Sequence, residues 1–307
     1  MAAARCNTRY LPQAKFPDAL IVVDRLEDAV AGVNDILIAV PSHALRSVLI
    51  ELAPLLSSSA RLAWATKGFE LDTGLLPHQV AKEILGTDRP FAVLSGPTFA
   101  QEVGQGLPTA MTIASADEAF AQSLAQSLSA DNFRAYTSSD IVGVEVGGAI
   151  KNVLAVGAGL ADGLGFGANT RVALITRGLV EMTRLGVALG AQRETFMGLA
   201  GLGDLVLTCT DDQSRNRRFG LALAAGKGAL CLYSHFTMIE LGGRLRYEFA
   251  REFAPYVGIH WERKVGRTAQ IMRAGGENPS QVSAVAGIRF FLFGEKPANE
   301  SAQAKAS

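Results

Sequence analysis

One lysine of this sequence has surroundings in which an amine could act as a base. Lys151 lies in the segment VEVGGAIKNVLAVGAG, among small and apolar residues on both sides. Burial disfavours the ammonium form and lowers the pKa of a lysine, so the neutral amine can accept a proton. Periodicity alone leaves open the alternative that the helix turns Lys151 and Asn152 outward to solvent.

A second group of residues could bind a phosphate. In the segment GLAGLGDLVLTCTDDQSRNRRFG, Asp204 follows a glycine-rich bend, and a hydroxyl, a guanidinium and an amide follow one another at Ser214, Arg215 and Asn216. These donors suit a phosphate, because arginine offers a planar fork and its neighbours add hydrogen bonds. The alternative is a solvated basic turn that continues into the next two arginines.

Two further candidates follow predicted strand ends. SGPTFAQE begins at Ser95, and its backbone amides and Thr98 could bind polar ligand atoms, while Lys67 stands in ATKGFE. Ligands bind open parallel sheets at the carboxyl ends of the strands. A plain strand-to-helix turn and a solvated lysine are the alternatives for these two segments.

The histidines and cysteines show no spacing for a metal site, a disulfide framework or a Ser/His/Asp set. We expect structural or surface histidines, with the first one nearest the presumed cleft, and reduced thiols. The residues concerned are His43, His78, His235 and His260, and Cys6, Cys209 and Cys231.

Strands and helices must alternate to position these groups in the first half of the chain. Short apolar runs bounded by polar or turn residues are typical of buried parallel strands, and apolar residues at helical spacing separate them. Strands are predicted at 19–23, 35–40, 62–66, 91–95, 110–114 and 133–136, and helices at 42–56, 75–85 and 117–128. This alternation predicts an α/β fold with a doubly wound sheet.

From Ser139 the pattern changes to long helical segments. Ser139 or Asp140 can cap one helix, and Asn169 can cap a second that runs to about Leu189. We therefore predict a sheet domain over residues 1–138 and a mainly α-helical domain over 139–307.

After Gly228 the composition shifts. Ten aromatic residues lie in the last 79 positions, against twelve in the preceding 228. A helix over 244–253 and a frayed tail from Glu295 are predicted there.

The overall composition is that of a folded protein with no net charge. Of 307 residues 49% are hydrophobic, and 29 Lys and Arg balance 29 Asp and Glu, which argues against disorder and against nucleic-acid binding. No run of 18 or more residues is continuously apolar, and the N-terminus lacks the apolar segment of a signal peptide. We expect no membrane span and a cytoplasmic location.

Seven motifs in order resemble those of bacterial glycerol-3-phosphate dehydrogenases, over about residues 5–228. They are NTRYLP, AVPSHALR, ATKGFE, SGPTFAQE, the Lys151 segment, ADGLGFGANTRVALITRGL, and GLGDLVLTCT with SRNRRFG. The resemblance implies a Rossmann-type sheet domain and the reversible reduction of dihydroxyacetone phosphate to sn-glycerol 3-phosphate with NAD(P)H, for phospholipid synthesis. It further implies a homodimer and no metal.

The resemblance also implies roles for individual residues. Lys151 matches the proton acceptor, and Lys67 matches a lysine that touches substrate and cofactor. The matched substrate positions are Gly96, Thr98, Asp204, Ser214, Arg215 and Asn216, the last three near the phosphate. Ala100 and Arg215 match positions that contact the cofactor.

Two departures from this family stand out. No complete G-x-G-x-x-G occurs, because the strand, turn and helix that carry it in the family would precede the first residues here. We therefore expect an incomplete Rossmann domain with severely weakened cofactor binding and very weak or no turnover. The family's V-x-E-G segment has no convincing match after Gly228, and we hypothesise a reading-frame change there, which resequencing of the gene would test.

Two other functions stay open at this point. One is a remnant that binds a phosphate ester without redox activity. The other is a dehydrogenase of another small hydroxy acid, against which the Ser214-Arg215-Asn216 run argues.

Overall fold

A computed structural model describes residues 1–225, 238–246, 253–264 and 280–290 of the chain, the last three as backbone strands. The chain divides into two compact units, Met1–Gly228 and Ala229–Ser307.

The first unit is built around a five-stranded mixed sheet. Its strands are β3 (Asp35–Ile38), β4 (Arg61–Trp64), β5 (Phe91–Ser95), β6 (Thr109–Ser115) and β7 (Phe133–Ser138), hydrogen-bonded in that order. β3, β4 and β5 are parallel, β6 is antiparallel to β5, and β7 is parallel to β6. The predicted sheet is confirmed, but its last two strands run opposite to the first three, which the apolar pattern did not reveal.

Helices cover both faces of this sheet. The helices of this half of the unit are α1 (Leu26–Val30), α2 (Ser42–Leu52) with a 3-10 turn (Ala53–Leu55), α3 (Pro77–Leu85), α4 (Ala100–Gly104) and α5 (Glu118–Leu128). Leu49 and Trp64 belong to the core on one face, and Ile113 and Phe120 to the core on the other. The arrangement is that of a doubly wound α/β fold.

The strand predicted at 19–23 is wrong. These residues form a turn and an irregular segment, and Ile21 is 80% exposed. Within the described residues the sheet ends at β3, so this apolar run has no ladder to join and no face to bury. The preceding NTRYLP segment lies in a short antiparallel hairpin of β1 (Cys6–Asn7) and β2 (Leu11–Lys15).

The rest of the first unit is helical, as predicted. It comprises α6 (Ile141–Gly163), α7 (Ala168–Ala188), a 3-10 turn (Arg193–Met197), a π turn (Leu199–Gly203), α8 (Asp204–Thr210) and α9 (Arg215–Ala224). Asp140 caps α6, and its side chain accepts a hydrogen bond from the Gly143 amide at 2.8 Å. The predicted cap at Asn169 is wrong, because α7 begins at Ala168 and its N-cap is Gly167.

Helices α6 and α9 approach each other at their glycines. A Cβ on Gly159 would overlap the backbone of Arg217, and one on Gly220 would overlap the backbone of Val156. Glycine is therefore required at both positions for this crossing.

By length and composition, α6 is apolar enough to cross a membrane. Within the folded unit 56% of its most apolar window is buried, and a soluble core helix passes the same test. The expectation of no membrane span stays a prediction.

The second unit contains three antiparallel strands in the order β10-β9-β8. They are β8 (Met238–Arg246), β9 (Phe253–Lys264) and β10 (Ser280–Phe290). The helix predicted over 244–253 is wrong at 244–246, where the backbone pairs with residues 256–258 of β9, and at Phe253, which begins β9. Strand pairing outweighs local helical spacing here. Residues 247–252, the tail from Glu295, Cys231 and His235 lie outside the described residues.

Candidate active site

Two lysines meet on one buried carboxylate. Asp204 is 1% exposed, and its Oδ2 accepts a hydrogen bond from Lys67 Nζ at 2.9 Å. Its Oδ1 accepts from Lys151 Nζ, which also donates to Thr208 Oγ1 at 3.1 Å. Lys151 is 8% exposed, so its helix does not turn it to solvent.

Three elements bring these side chains together. Lys67 follows the carboxyl end of β4, where the neighbouring Thr66 hydroxyl donates to Val40 O at 2.7 Å. Lys151 lies midway along α6, and Asp204 begins α8, where the amino end of a helix favours negative charge. The alternative of a solvated Lys67 does not hold, because its side chain is 21% exposed and pairs with Asp204.

The electrostatics of the cluster lower the pKa of Lys151. Burial and the positive charge of Lys67 lower the pKa of Lys151 to about 8, although the Asp204 carboxylate acts in the opposite direction. Because the ordinary pKa of lysine is about 10.4, far more of this amine is unprotonated near neutral pH.

The loop after β5 lies beside the lysines. Gly96 O accepts from Lys67 Nζ at 3.4 Å. Gly96 has a φ of +155°, and a Cβ there would lie 3.0 Å from Met111 Cα, so only glycine fits. Thr98 Oγ1 donates to Gly96 O at 3.3 Å, and Ala100 is exposed at the start of α4.

The predicted phosphate-binding run forms the first turn of α9. Ser214 is the N-cap, and its Oγ accepts from the Arg217 amide at 3.2 Å. Arg215 is exposed and makes no hydrogen bond or ion pair with the part of the chain that the structure describes. Asn216 Nδ2 donates to Asn152 Oδ1 at 2.8 Å, which joins this turn to the residue after Lys151.

The alternative of a solvated basic turn does not hold for the whole segment. Arg217 is buried and pairs with Asp162 at 2.6 Å and with Asp212. Of the three arginines in this segment, Arg215 and Arg218 are exposed, and Arg215, which is unpaired among the described residues, is available to an anion.

Known proteins share both halves of the first unit. Residues 1–121 match the family model "NAD-dependent glycerol-3-phosphate dehydrogenase N-terminus", and 140–241 match the corresponding C-terminus. A glycerol-3-phosphate dehydrogenase [NAD(P)+] of Idiomarina loihiensis is 57% identical over 229 residues, 74% of this chain and 69% of the relative. The chain belongs to the NAD-dependent glycerol-3-phosphate dehydrogenase family.

Other relatives and solved structures agree with this membership. The enzyme of Cronobacter sakazakii is 52% identical over 260 residues, covering 84% of this chain and 76% of its own. A crystal structure of glycerol-3-phosphate dehydrogenase from Coxiella burnetii has a TM-score of 0.73 and 48% identity, covering 75% of this chain and 71% of that one.

The segment after Gly228 has a different likeness. Residues 228–292 match the family model "Copper resistance protein B precursor (CopB)". The match begins where the composition of this dehydrogenase-family chain changes. The hypothesis of a reading-frame change stays a prediction.

Sequence reasoning missed several partners of the dehydrogenase-family site. Thr208 lies four residues after Asp204 on one helix face, a spacing that could have revealed it. Ser95 is buried, and its Oγ has no hydrogen-bond partner among the described residues. His43 is exposed, whereas His78 is buried and contacts Glu145. This contact joins segments distant in sequence, so no local pattern indicates it.

Proposed function

We propose that this chain reversibly reduces dihydroxyacetone phosphate to sn-glycerol 3-phosphate with NAD(P)H and so supplies the backbone of phospholipids. The observation that carries the proposal is the buried Lys151, with a pKa near 8, on a carboxylate shared with Lys67. Family membership supports the reaction class.

Lys151 is the proposed acid and base. In the oxidative direction its neutral amine accepts the proton of the C2 hydroxyl, and in reduction its ammonium returns a proton to the oxygen at C2. Lys67 keeps a positive charge beside the same oxygen, and Asp204 orients both amines. The bound nicotinamide supplies or takes the hydride at C2.

The substrate phosphate is proposed to bind at the first turn of α9. Arg215 offers an uncommitted guanidinium, while Ser214 and Asn216 supply a hydroxyl and an amide. Gly96 and Thr98 add polar backbone and side-chain groups on the opposite side of the cluster. The bond from Asn216 to Asn152 supports a phosphate site adjoining Lys151.

Lys67, Ala100 and Arg215 are proposed to hold the nicotinamide end of the cofactor. Ala100 and Arg215 fit this role because both are exposed, and Gln213 Nε2 donates to Glu102 Oε1 at 2.7 Å, which joins the segments that carry them. Residues 1–138 would then bind nucleotide, and the helical segment from residue 139 would bind substrate. A cytoplasmic homodimer is proposed as well, and sedimentation of the purified chain tests the dimer.

Paired titrations test this function against its alternatives. Because the chain has no complete G-x-G-x-x-G, we expect weak NADPH binding, as followed by its fluorescence, and slow oxidation of NADPH with dihydroxyacetone phosphate but not with unphosphorylated dihydroxyacetone. Phosphate-ester binding without NADPH binding by the folded chain would instead identify a remnant without redox activity. Turnover of an unphosphorylated hydroxy acid would assign another substrate.

A further inference from the structure

Helix α6 carries a second ionisable side chain that the proposed chemistry does not use. Glu145 lies six residues before Lys151, and its side chain is 0% exposed. It meets no lysine or arginine among the described residues. A carboxylate removed from water in this way is costly unless several donors compensate it.

Two donors and a histidine ring nitrogen, from two other elements, converge on Glu145. Trp64 Nε1, at the end of β4, donates to Oε1 at 2.9 Å, and the backbone amide of His78 donates to the same oxygen at 3.0 Å. The His78 ring Nδ1 lies 2.6 Å from Oε2. Glu145 is thus bonded to the sheet and to α3 at once.

The contact with Glu145 also gives the first turn of α3 a hydrogen-bond acceptor. The first amides of a helix have no partner within it, and a side-chain oxygen at the N-cap usually accepts from one of them. The N-cap of α3 is Leu76, which has no such oxygen. The Glu145 carboxylate takes that role from another helix, so α6 is attached to α3 by a bond that α3 requires.

The hydrogen bond from Trp64 to Glu145 connects the two chain segments that carry the lysines of the site. Trp64 precedes Lys67 by three residues along the same chain segment. Glu145 precedes Lys151 on one helix by six residues, about 9 Å of axial rise. The bond from Trp64 to Glu145 therefore sets Lys67 and Lys151 relative to each other.

Small residues bring α6 close to the sheet between these two side chains. The run from Val146 to Ile150 contains Gly147, Gly148 and Ala149. A Cβ on Gly148 would lie 3.1 Å from Ser95 Oγ and 3.4 Å from Lys67 Cγ, so the backbone of α6 lies close to the segments that carry the site. A buried polar group with fixed partners can specify a register that small side chains do not.

We propose that Glu145 is a positioning residue, which fixes the register of α6 against β4 and α3 and thereby holds Lys151 in the dry site beside Asp204 and Lys67. The proposal rests on the proposed function of Lys151. Burial raises the pKa of Glu145, which agrees with a carboxyl group held away from water.

The test follows Lys151 directly. ¹³C NMR of the chain labelled at lysine Cε gives the titration midpoint of Lys151, and its signal is assigned by its loss in Lys151→Met. In Glu145→Ala we expect α6 to loosen and water to enter, so the midpoint rises by about 1 pH unit or more toward the ordinary value. We expect kcat for dihydroxyacetone phosphate reduction to fall at least about tenfold, with KM changed less than about threefold.

Two matched variants separate positioning from mere stability. Glu145→Gln keeps an oxygen for Trp64 Nε1 and the His78 amide, so its midpoint should stay within about 0.3 pH units of wild type. Ser115→Ala removes a buried hydrogen bond of 2.6 Å to Phe91 O on β5, so the melting temperature should fall without a shift of the Lys151 midpoint.

An unchanged Lys151 midpoint in folded Glu145→Ala would overturn the proposal. If that variant does not fold, the Lys151 midpoint is measured in Trp64→Phe, which removes one donor and keeps an aromatic ring. An unchanged midpoint in that variant would also overturn the proposal. The NMR measurement needs no turnover. A wild-type chain that reduces no dihydroxyacetone phosphate would therefore refute the proposed function while the midpoints still report on Glu145.

Discussion

Replacement of Asp204 by asparagine should make Lys151 a weaker base, not a stronger one. Asp204 is the only one of the three main influences on Lys151 that raises its pKa, because burial and the Lys67 charge both lower it. Asp204→Asn keeps the shape of the side chain and removes its charge. Lys151 would then lose its proton at a lower pH.

The size of the effect follows from the contact distance. Lys151 Nζ and Asp204 are directly hydrogen-bonded and almost fully buried, so solvent screens them little. An opposite charge at this range shifts a pKa by roughly 1–3 units. The midpoint should therefore fall from about 8 to about 5–7, a change of about 1.4–4 kcal/mol at about 1.4 kcal/mol per unit.

The assay is the pH dependence of kcat/KM for sn-glycerol 3-phosphate oxidation, which reports ionisations of the free enzyme. Oxidation requires neutral Lys151, so the rate rises as the pH passes the midpoint, and in Asp204→Asn that rise should occur at lower pH. Asp35→Asn removes an equal charge from a partner of Arg61 at the start of β3 and should leave the midpoint unchanged. A midpoint at or above that of the wild type in folded Asp204→Asn would refute this reasoning.

Three further outcomes can be checked separately. Arg215→Ala should raise KM for dihydroxyacetone phosphate at least about tenfold, because a lost charged hydrogen bond costs about 1.5–3 kcal/mol. The control Arg218→Ala should change KM little. Both are measured by steady-state kinetics, and equal effects of the two substitutions would reject the phosphate assignment. Gly159→Ala should lower the free energy of unfolding by about 1–3 kcal/mol or more, because its Cβ would overlap the backbone of α9. At Gly157 an added Cβ meets only Leu174 Cδ1 at 3.8 Å, so the same substitution should cost little in thermal denaturation. Burial raises the pKa of Cys209 to about 12, so in the folded protein this thiol should react with a disulfide reagent at neutral pH far more slowly than in the denatured chain, and equal rates would contradict its burial.

Local patterns predicted most strands and helices of the first unit, because their apolar residues face one packed core. The helix cap at Asp140 and the strand over residues 91–95 follow from such patterns. The run at 19–23 has the same apolar character but no neighbouring strand, and no local pattern contains that information. The segment at 244–246 became a strand because it pairs with residues 256–258 of the next strand, and its own helical spacing does not reveal that pairing.

The candidate site shows a similar division. The chemistry of Lys151 was apparent from its small and apolar neighbours, but only the fold decides which way its helix turns. The hydrogen bonds of Glu145 were invisible in the sequence, because its partners Trp64 and His78 lie on β4 and α3, 81 and 67 positions away along the chain. Residues that act together across such separations become apparent only in three dimensions.

The most direct test of the central claim compares wild type with Lys151→Met in the NADPH-dependent reduction of dihydroxyacetone phosphate. Methionine keeps the length and apolar stem of the side chain and removes the proton donor. We predict weak turnover by the wild type, because the chain has no complete G-x-G-x-x-G, and a further loss of roughly 10²–10⁴-fold in the variant, the usual contribution of a general acid or base. Equal turnover by the two folded proteins, or no turnover by the wild type with saturating NADPH, would contradict the account.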